Sequence, residues 1–587
     1  PGAADEKYGY IKKNAAAFIN QLISILKLMV KFSVKVGVLG LALAAVTSCS
    51  DKQQFQDFNE QAHSVEVQVL KPELAKVRDY VPLYAVIAHR GSTYWTPEET
   101  EASWRWARDM GADYLESDLQ CSKDGVVLSL HDDNLKRTTN IQSVFSDQIP
   151  DIRKQFYRSL TYKDGTPCNF SEEDIQAAYL EDVGDYYSYY PRNYYYAELL
   201  MLDAGTWFNE DNIEQARSAF GQRGGIYDAL ERSNVEGRPV YSTGLYISAL
   251  ADQIAYAEGR MLNRDAEGRR ILPYYVKDEY RGKTLKEIFA EKVTCHGVSA
   301  QGRYKNFIEY DFSNAYVKDP EDTGNRPGIY IELKESWAQP KCMEGLVYDE
   351  LDKWGWNIIT KPETNTAFYK DEKVNVGNTN GKVILQTFSF DSVKRAYDVF
   401  QGKVPMCYLL WTDYPGDYAT DLYYSTPTGW ADFIKYMQDY GCHILGPAIS
   451  GAPNNYPEMN NPWQAYMTRR AQMINHPYSF DSQAQITKHM GYWVNKWADN
   501  PTEFDDLMRV KIPATAYSQG GIWDIYMDGC FTNRTEMNLR YMIDNGMRCN
   551  AALPNPFHPG QTFDNSQAPH IVPDSGDLLT KLGYPRQ

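Results

Sequence analysis

The chain has 587 residues, 43% hydrophobic and 23% charged, which excludes a disordered polymer and allows one large elaborated domain or a few ordinary ones. A formal net charge of −17, with no Lys/Arg run long enough to track a phosphate backbone, excludes a nucleic-acid partner. Nine cysteines fall in no CxxC or Cys/His spacing of zinc type, and 45 tyrosines suit an extracytoplasmic, aromatic-rich surface without choosing a ligand.

Met29-Val-Lys-Phe-Ser-Val-Lys35 gives a basic start, and Val36 to Val46 an apolar run that ends in Val46-Thr-Ser-Cys49. That run is shorter than the roughly 20 residues of a membrane span and has signal-peptide flanks. It resembles a bacterial lipoprotein signal in which Cys49 is lipidated. The expected organisation is a mis-called leader at 1–28, a signal at 29–48 and a tether at 49–80. The expected location is the bacterial cell envelope, periplasmic or at the outer membrane or surface, with the membrane a partner through Cys49. Cys121, Cys407, Cys442 and Cys530 lie in or beside apolar runs and read as buried small hydrophobes.

From about residue 83, short β-rich runs alternate with helical stretches. Candidate strands are 85–88, 113–119, 126–130, 328–333, 383–387, 406–411, 491–496 and 525–532. Between the first two, Ala102, Trp106 and Met110 recur at helical spacing. Eight strand–helix units predict an α/β fold, a closed (β/α)₈ TIM barrel spanning 81–555. About 140–327 reads as a large insertion between strands three and four, since one βα unit needs far fewer residues. It holds a clear helix at 250–258 and a tyrosine patch at 186–196. A second irregular stretch lies at about 412–485, and 556–587 reads as a tail without a core of its own.

In such a barrel, functional groups collect at the carboxyl ends of strands. His89 follows strand one, Glu116 and Asp118 lie late in strand two, His131 follows strand three, and Glu332 is late in strand four. Two residues apart on a strand, Glu116 and Asp118 face one side. A hard divalent cation, Ca²⁺ or Mg²⁺, relieves their repulsion, with Glu332 a third carboxylate. Salt bridges to Arg90 and Lys334 without metal are the alternative. Arg90 and Lys334 suit a phosphate clamp, and two histidines suit the acid and base of in-line displacement at phosphorus.

These segments carry a resemblance. His89-Arg-Gly91, Pro97-Glu-Glu-Thr100, Glu116-Ser-Asp118, Lys123-Asp-Gly125, His131-Asp132 and Leu135-Lys-Arg-Thr-Thr-Asn140 resemble the motif series of the glycerophosphodiester phosphodiesterase family. So, more weakly, do Leu202-Asp-Ala-Gly-Thr-Trp-Phe-Asn209, Ile331-Glu-Leu-Lys334, Gln386-Thr-Phe388, Trp497 and Asp528-Gly-Cys-Phe-Thr-Asn-Arg534. The resemblance implies a TIM-barrel hydrolase with Glu116, Asp118 and Glu332 on Ca²⁺ or Mg²⁺, and His89 and His131 as acid and base. Arg90 and Lys334 contact phosphate, Glu98 orients Arg90, and Trp207, Phe208 and Trp497 line the substrate cleft. Glu99 departs from the family's usual Asn, and Thr206 from its Ser.

The implied reaction is metal-dependent hydrolysis of a glycerophosphodiester to an alcohol and glycerol phosphate, by water or by the neighbouring glycerol hydroxyl. The tyrosines at 186–196 read either as packing or as a cation–π cage for a choline-like headgroup. Alternatives are a phospholipase D-like or teichoic-acid-type phosphodiesterase on the same barrel, and a surface binding lipoprotein without turnover.

Overall fold

The computed structural model describes residues 58–149, 152–209, 229–235, 238–300, 304–334, 340–411, 425–454, 456–490, 505–518 and 520–584. The chain divides into two compact units, 1–65 and 66–587. Of the first, residues 58–65 are described, helical from 58 to 64. Cys49 and Trp497 lie outside the described residues, as does the expected strand at 491–496.

The second unit is built on parallel strands. In chain order they are β1 (Ala85–Ala88), β2 (Tyr114–Cys121), β7 (Gly328–Leu333), β8 (Val383–Thr387), β9 (Met406–Leu410), β10 (Ile444–Pro447), β11 (Ile474–Asn475) and β12 (Gly529–Thr532). The spatial order is β11-β10-β9-β8-β7-β2-β1-β12. Backbone bonds close the ring: Asp528 N donates to Asn475 O at 2.7 Å, Phe531 N to Pro477 O at 3.1 Å and Phe480 N to Phe531 O at 2.8 Å. Every residue of β1, β2, β7, β8 and β9 is buried, the pattern of strands covered on both faces. The result is a closed eight-stranded TIM barrel.

Topology corrects the strand count. β3 (Val127–Ser129), expected as the third barrel strand, runs antiparallel to the end of β2, with Leu119 opposite Ser129. β7 pairs directly with β2, Glu332 beside Asp118. The long connection therefore joins the second and third barrel strands, not the third and fourth. The stretch expected to be irregular at 412–485 supplies β10 and β11, whose shortness and Gly446-Pro447 ending hide them from a periodicity reading.

The long connection has its own core. Helices α2 (Ile152–Ser159) and α3 (Glu172–Gly184) bring Phe156, Tyr157 and Ile175 against Tyr195, Phe289 and Phe307. Tyr194, Tyr195 and Tyr196 are all 0% exposed, so this part of the patch is packing and not a headgroup cage. Strand β4 (Ser248–Ala249) pairs with β3, and α4 (Leu250–Ala257) follows it. A short hairpin, β5 (Thr294–Cys295) and β6 (Val298–Ser299), turns through His296 and Gly297.

The helix after β1, α1 (Glu101–Met110), is buried on every side. Barrel strands cover one face. On the other, Arg105 and Arg108 reach Asp319 of the connection, and Trp106 Nε1 donates to Ser575 O in the C-terminal tail. Further helices are α5 (Met343–Lys353), α6 (Phe390–Phe400), α7 (Pro427–Asp439), α8 (Pro462–Arg470), α9 (Gln483–His489) and α10 (Thr535–Asp544). No helix of the described residues is long and apolar enough to cross a membrane. The eight described cysteines are free, Cys121, Cys407, Cys442 and Cys530 among them buried.

Candidate active site

A cavity of about 260 Å³ opens at the carboxyl ends of the barrel strands. His89, Arg90, Glu116, Asp118, His131, Glu332 and Lys334 all line it, so seven of the residues picked from sequence meet in one place. Trp207 and Phe208 do not. Trp207 is 3% exposed, its Nε1 donates to Ala204 O at 2.9 Å, and its ring lies under the Arg137 guanidinium. The apolar wall instead comes from Phe388, Leu409, Trp411, Tyr456, Tyr478 and Phe531.

The turn after β1 explains how Arg90 arrives there. Arg90, Gly91 and Ser92 have φ of 50°, 82° and 71°, a left-handed run that reverses the chain at the strand end. A Cβ on Gly91 would lie 2.4 Å from Ser103 Oγ of α1, so only glycine fits. The turn aims the Arg90 amide at Glu116, donating to Oε2 at 2.7 Å. Holding a non-glycine residue there costs about 1–3 kcal/mol, which the surrounding bonds offset.

Glu116, Asp118 and Glu332 bring carboxylate oxygens within 4.8 Å of one another, all buried. Gln386 Nε2 donates to Glu116 Oε1 at 2.8 Å. Lys334 Nζ lies 3.2 Å from Asp118 Oδ1 and 3.3 Å from Glu332 Oε1. Burial raises Glu116 well above the usual carboxylate range, with the Asp118 charge adding to it. Glu332 is pushed up to about 8, mainly by burial. Asp118, though buried, is held well below the usual range by Lys334, His131 and Arg90. Asp118 Oδ2 is buried and, among the described residues, accepts no hydrogen bond. Asp118 Oδ2 also lies 3.5 Å from Arg90 Nε, and a donor set of three buried carboxylates, all oxygen, fits a hard divalent cation.

Each histidine is fixed through Nδ1. His89 Nδ1 meets Asn533 Oδ1 at 2.9 Å. The amide's orientation follows from its other bonds: Thr93 Oγ1 donates to Oδ1, and Nδ2 donates to Asp481 Oδ2. Asn533 thus accepts from His89, which leaves Nε2 as the basic nitrogen. Burial, then Arg90, lowers the His89 imidazole to about 4. His131 Nδ1 meets Asp132 Oδ1 at 2.6 Å, a carboxylate partner that favours imidazolium. Burial nevertheless lowers His131 below its ordinary value, with Arg90 and Lys334 contributing.

A second layer holds the cations. Glu98 accepts from Arg90 Nη1 at 3.3 Å and from Arg137 Nη1 and Nη2 at 3.0 and 2.6 Å. Arg137 also binds Asp132 through Nε at 2.7 Å. One chain of contacts therefore runs from Arg90 through Glu98, Arg137 and Asp132 to His131. Glu99 accepts the Asp118 amide at 2.6 Å, and burial with the Asp118 and Glu98 charges raises it well above the usual range. Burial and the neighbouring carboxylates thus favour the neutral form of Glu99.

Sequence reading did not select Asn533, Arg137 or Gln386. All three lie in segments that resemble the family, but their partners come from other strands or loops.

Residues 89–302 match the family model described as the glycerophosphoryl diester phosphodiesterase family. A glycerophosphoinositol inositolphosphodiesterase of Mus musculus is 30% identical over 142 residues, 24% of this chain and 19% of that protein. A glycerophosphodiester phosphodiesterase of Bacillus subtilis is 44% identical over 69 residues, 12% of this chain and 24% of that protein. An uncharacterized B. subtilis protein, YqiK, is 27% identical over 258 residues, 43% of this chain and 91% of its own. The first of these relatives is thus matched over about a fifth of its length. Among solved structures, an Oleispira antarctica phosphodiesterase in complex with the product sn-glycerol-3-phosphate aligns over 78% of this chain and 97% of its own. Its identity is 12% and its TM-score 0.35. Residues 89–302, from His89 into the long connection, therefore carry a domain of the glycerophosphoryl diester phosphodiesterase family.

Proposed function

We propose that this protein hydrolyses glycerophosphodiesters to an alcohol and glycerol phosphate. The observation that carries the reading is the pair of Nδ1-anchored histidines lining one cavity with three carboxylates, Arg90 and Lys334. His89, bonded to a neutral amide and held unprotonated at neutral pH, is the base. It takes the proton of the attacking hydroxyl, whether water or the adjacent glycerol hydroxyl, as the new P–O bond forms. His131, bonded to the Asp132 carboxylate, holds a proton more readily. It protonates the oxygen of the departing alcohol as the old P–O bond breaks.

Arg90 and Lys334 bind the non-bridging phosphate oxygens and offset the charge that builds on them. Glu116, Asp118 and Glu332 would hold Ca²⁺ or Mg²⁺, which supplies further positive charge to the phosphate. The wall of Phe388, Trp411, Tyr456 and Tyr478 favours an alcohol with an apolar or alkylated cationic face over a highly charged one. Part of the same proposal is attachment to the envelope through a lipid on Cys49; radiolabelled palmitate incorporation lost in Cys49→Ser tests it.

Assay of the purified protein on glycerophosphocholine with Mg²⁺ or Ca²⁺, beside His89→Ala and a chelator control, tests the activity. No turnover of any glycerophosphodiester, or turnover untouched by His89→Ala, sinks the reading.

A further inference from the structure

Where the long connection meets α5, among residues that do not line the cavity above, three unlike donors converge. His296 Nε2 lies 2.8 Å from Asp349 Oδ1, and Cys295 Sγ lies 3.3 Å from Asp349 Oδ2. One ligand atom from each of the three residues lies within 4.8 Å of the other two. Tetrahedral Zn²⁺, with Zn–S of about 2.3 Å and Zn–N or Zn–O of about 2.0–2.2 Å, needs donors roughly 3.3–3.7 Å apart. Small rotations of the three side chains span the difference.

The backbone holds this trio in place. The two-residue turn between β5 and β6 has φ of 48° at His296 and 77° at Gly297, both left-handed, as a tight hairpin requires. The hairpin then seats on α5 at Gly345. A Cβ there would lie 2.9 Å from both Cys295 Sγ and His296 Cδ2, so the glycine is what lets the turn approach. Asp349, one helical turn further on, shares that face and meets both side chains. Cys342, 2% exposed at the start of the same helix, lines the adjoining cavity of about 530 Å³ with Cys295 and His296.

We infer that Cys295, His296 and Asp349 form a second metal site, suited to a borderline-soft divalent cation of the Zn²⁺ class, that clasps the β5–β6 hairpin to α5. Water supplies the fourth ligand. Sulfur and imidazole donors separate this site from the all-oxygen set of the barrel, which suits Ca²⁺ or Mg²⁺. A nucleophilic role for Cys295 fits less well. The thiol's partner is the carboxylate and not the imidazole, and burial with Asp349 pushes it up to about 12. Coordination reverses that preference and releases the thiol proton to solvent. The linear spacing hides the site because Asp349 is 53 residues from His296.

The test is a Co²⁺ titration of the full chain in excess Mg²⁺, which occupies oxygen-only sites. Near-ultraviolet thiolate-to-Co²⁺ charge transfer is expected to saturate at one equivalent and to vanish on adding Zn²⁺. Cys295→Ser removes it; His296→Ala and Asp349→Ala weaken Zn²⁺ binding at least about tenfold. Hydrolysis in Mg²⁺ is unchanged in all three. Absence of the thiolate band, or its survival in Cys295→Ser, overturns the inference. Should Cys295→Ser fail to fold, the two exposed positions, His296 and Asp349, carry the same test: unchanged Zn²⁺ affinity in both overturns it.

Discussion

Asn533 accepts the Nδ1 hydrogen of His89 at 2.9 Å, joining the ends of the first and last barrel strands across 444 residues of sequence. The contact sets the tautomer of the proposed base without lending it charge. Asn533→Leu frees the ring and is expected to lower kcat by about 10²-fold or more, with a smaller change in KM. Asn533→Asp keeps the bond and adds a negative charge, which raises the His89 pKa. Activity that requires neutral His89 then rises at higher pH: the acid limb of the kcat/KM profile moves up by about one unit or more. An unmoved limb rejects His89 as the base.

His131 and Asp132 define the other proton. Without a general acid, a poorly acidic alcohol leaves slowly, whereas p-nitrophenolate needs no proton. His131→Ala is expected to cut turnover of glycerophosphocholine about 10²–10⁴-fold and that of a p-nitrophenyl phosphodiester far less. Asp132→Asn gives a milder form of the same split. Equal losses on both substrates contradict the assignment.

The site was legible in sequence wherever its members are local. His89-Arg-Gly91 and Glu116-Ser-Asp118 carry their geometry with them, a left-handed turn and two side chains on one strand face. β1, β7 and β8 were legible to the residue because strands buried on both faces read as unbroken apolar runs. Direction was not legible: Val127–Ser129 has a strand's composition, and only pairing makes it antiparallel. Aromatic residues were equally ambiguous. Trp207 is core, while Trp411, at the end of the expected strand 406–411, and Tyr456, from the stretch read as irregular, line the cavity. The second layer, Glu98–Arg137–Asp132, depends on how loops fold back, which spacing does not encode.

Protons and metal compete for the same carboxylates. Glu332 rises from its ordinary 4.5 to about 8, so a cation must displace a proton below that pH. Ca²⁺ or Mg²⁺ affinity is expected to rise between pH 6.5 and 8.5, by up to about tenfold per unit for each proton displaced, as measured by calorimetry. Stability follows with its own sign. A group whose folded pKa is raised stabilises the fold below its unfolded pKa and loses that contribution as pH climbs through the folded value. The metal-free protein therefore melts at lower temperature as pH rises toward 8, and added cation restores it. Glu332→Gln abolishes both dependences on this residue; a pH-independent cation affinity in the unmutated protein would contradict the coupling.

Asp319 ties the long connection to the barrel. Its carboxylate binds Arg105 through Nε and Nη2 at 2.6 and 2.7 Å and Arg108 through Nη2 at 2.7 Å, with all three side chains 4% exposed or less. Arg108 keeps Asp109 and Tyr256 O as partners, and Arg105 keeps Leu582 O and Tyr584. Removing Asp319 nonetheless leaves two buried guanidinium groups short of charge, and breaking a buried pair this way costs about 3–5 kcal/mol. Asp319→Ala is expected to lower the urea midpoint by an amount of that order, whereas Asp319→Asn, which keeps an acceptor, loses less. Because both arginines sit on the helix that follows His89, the alanine variant should also lose activity as it unfolds, in step with the loss of structure. A variant that stays folded at full stability would show that the other contacts of α1 with the connection, Arg108 to Tyr256 O and Arg264 to Glu101 among them, hold it without Asp319.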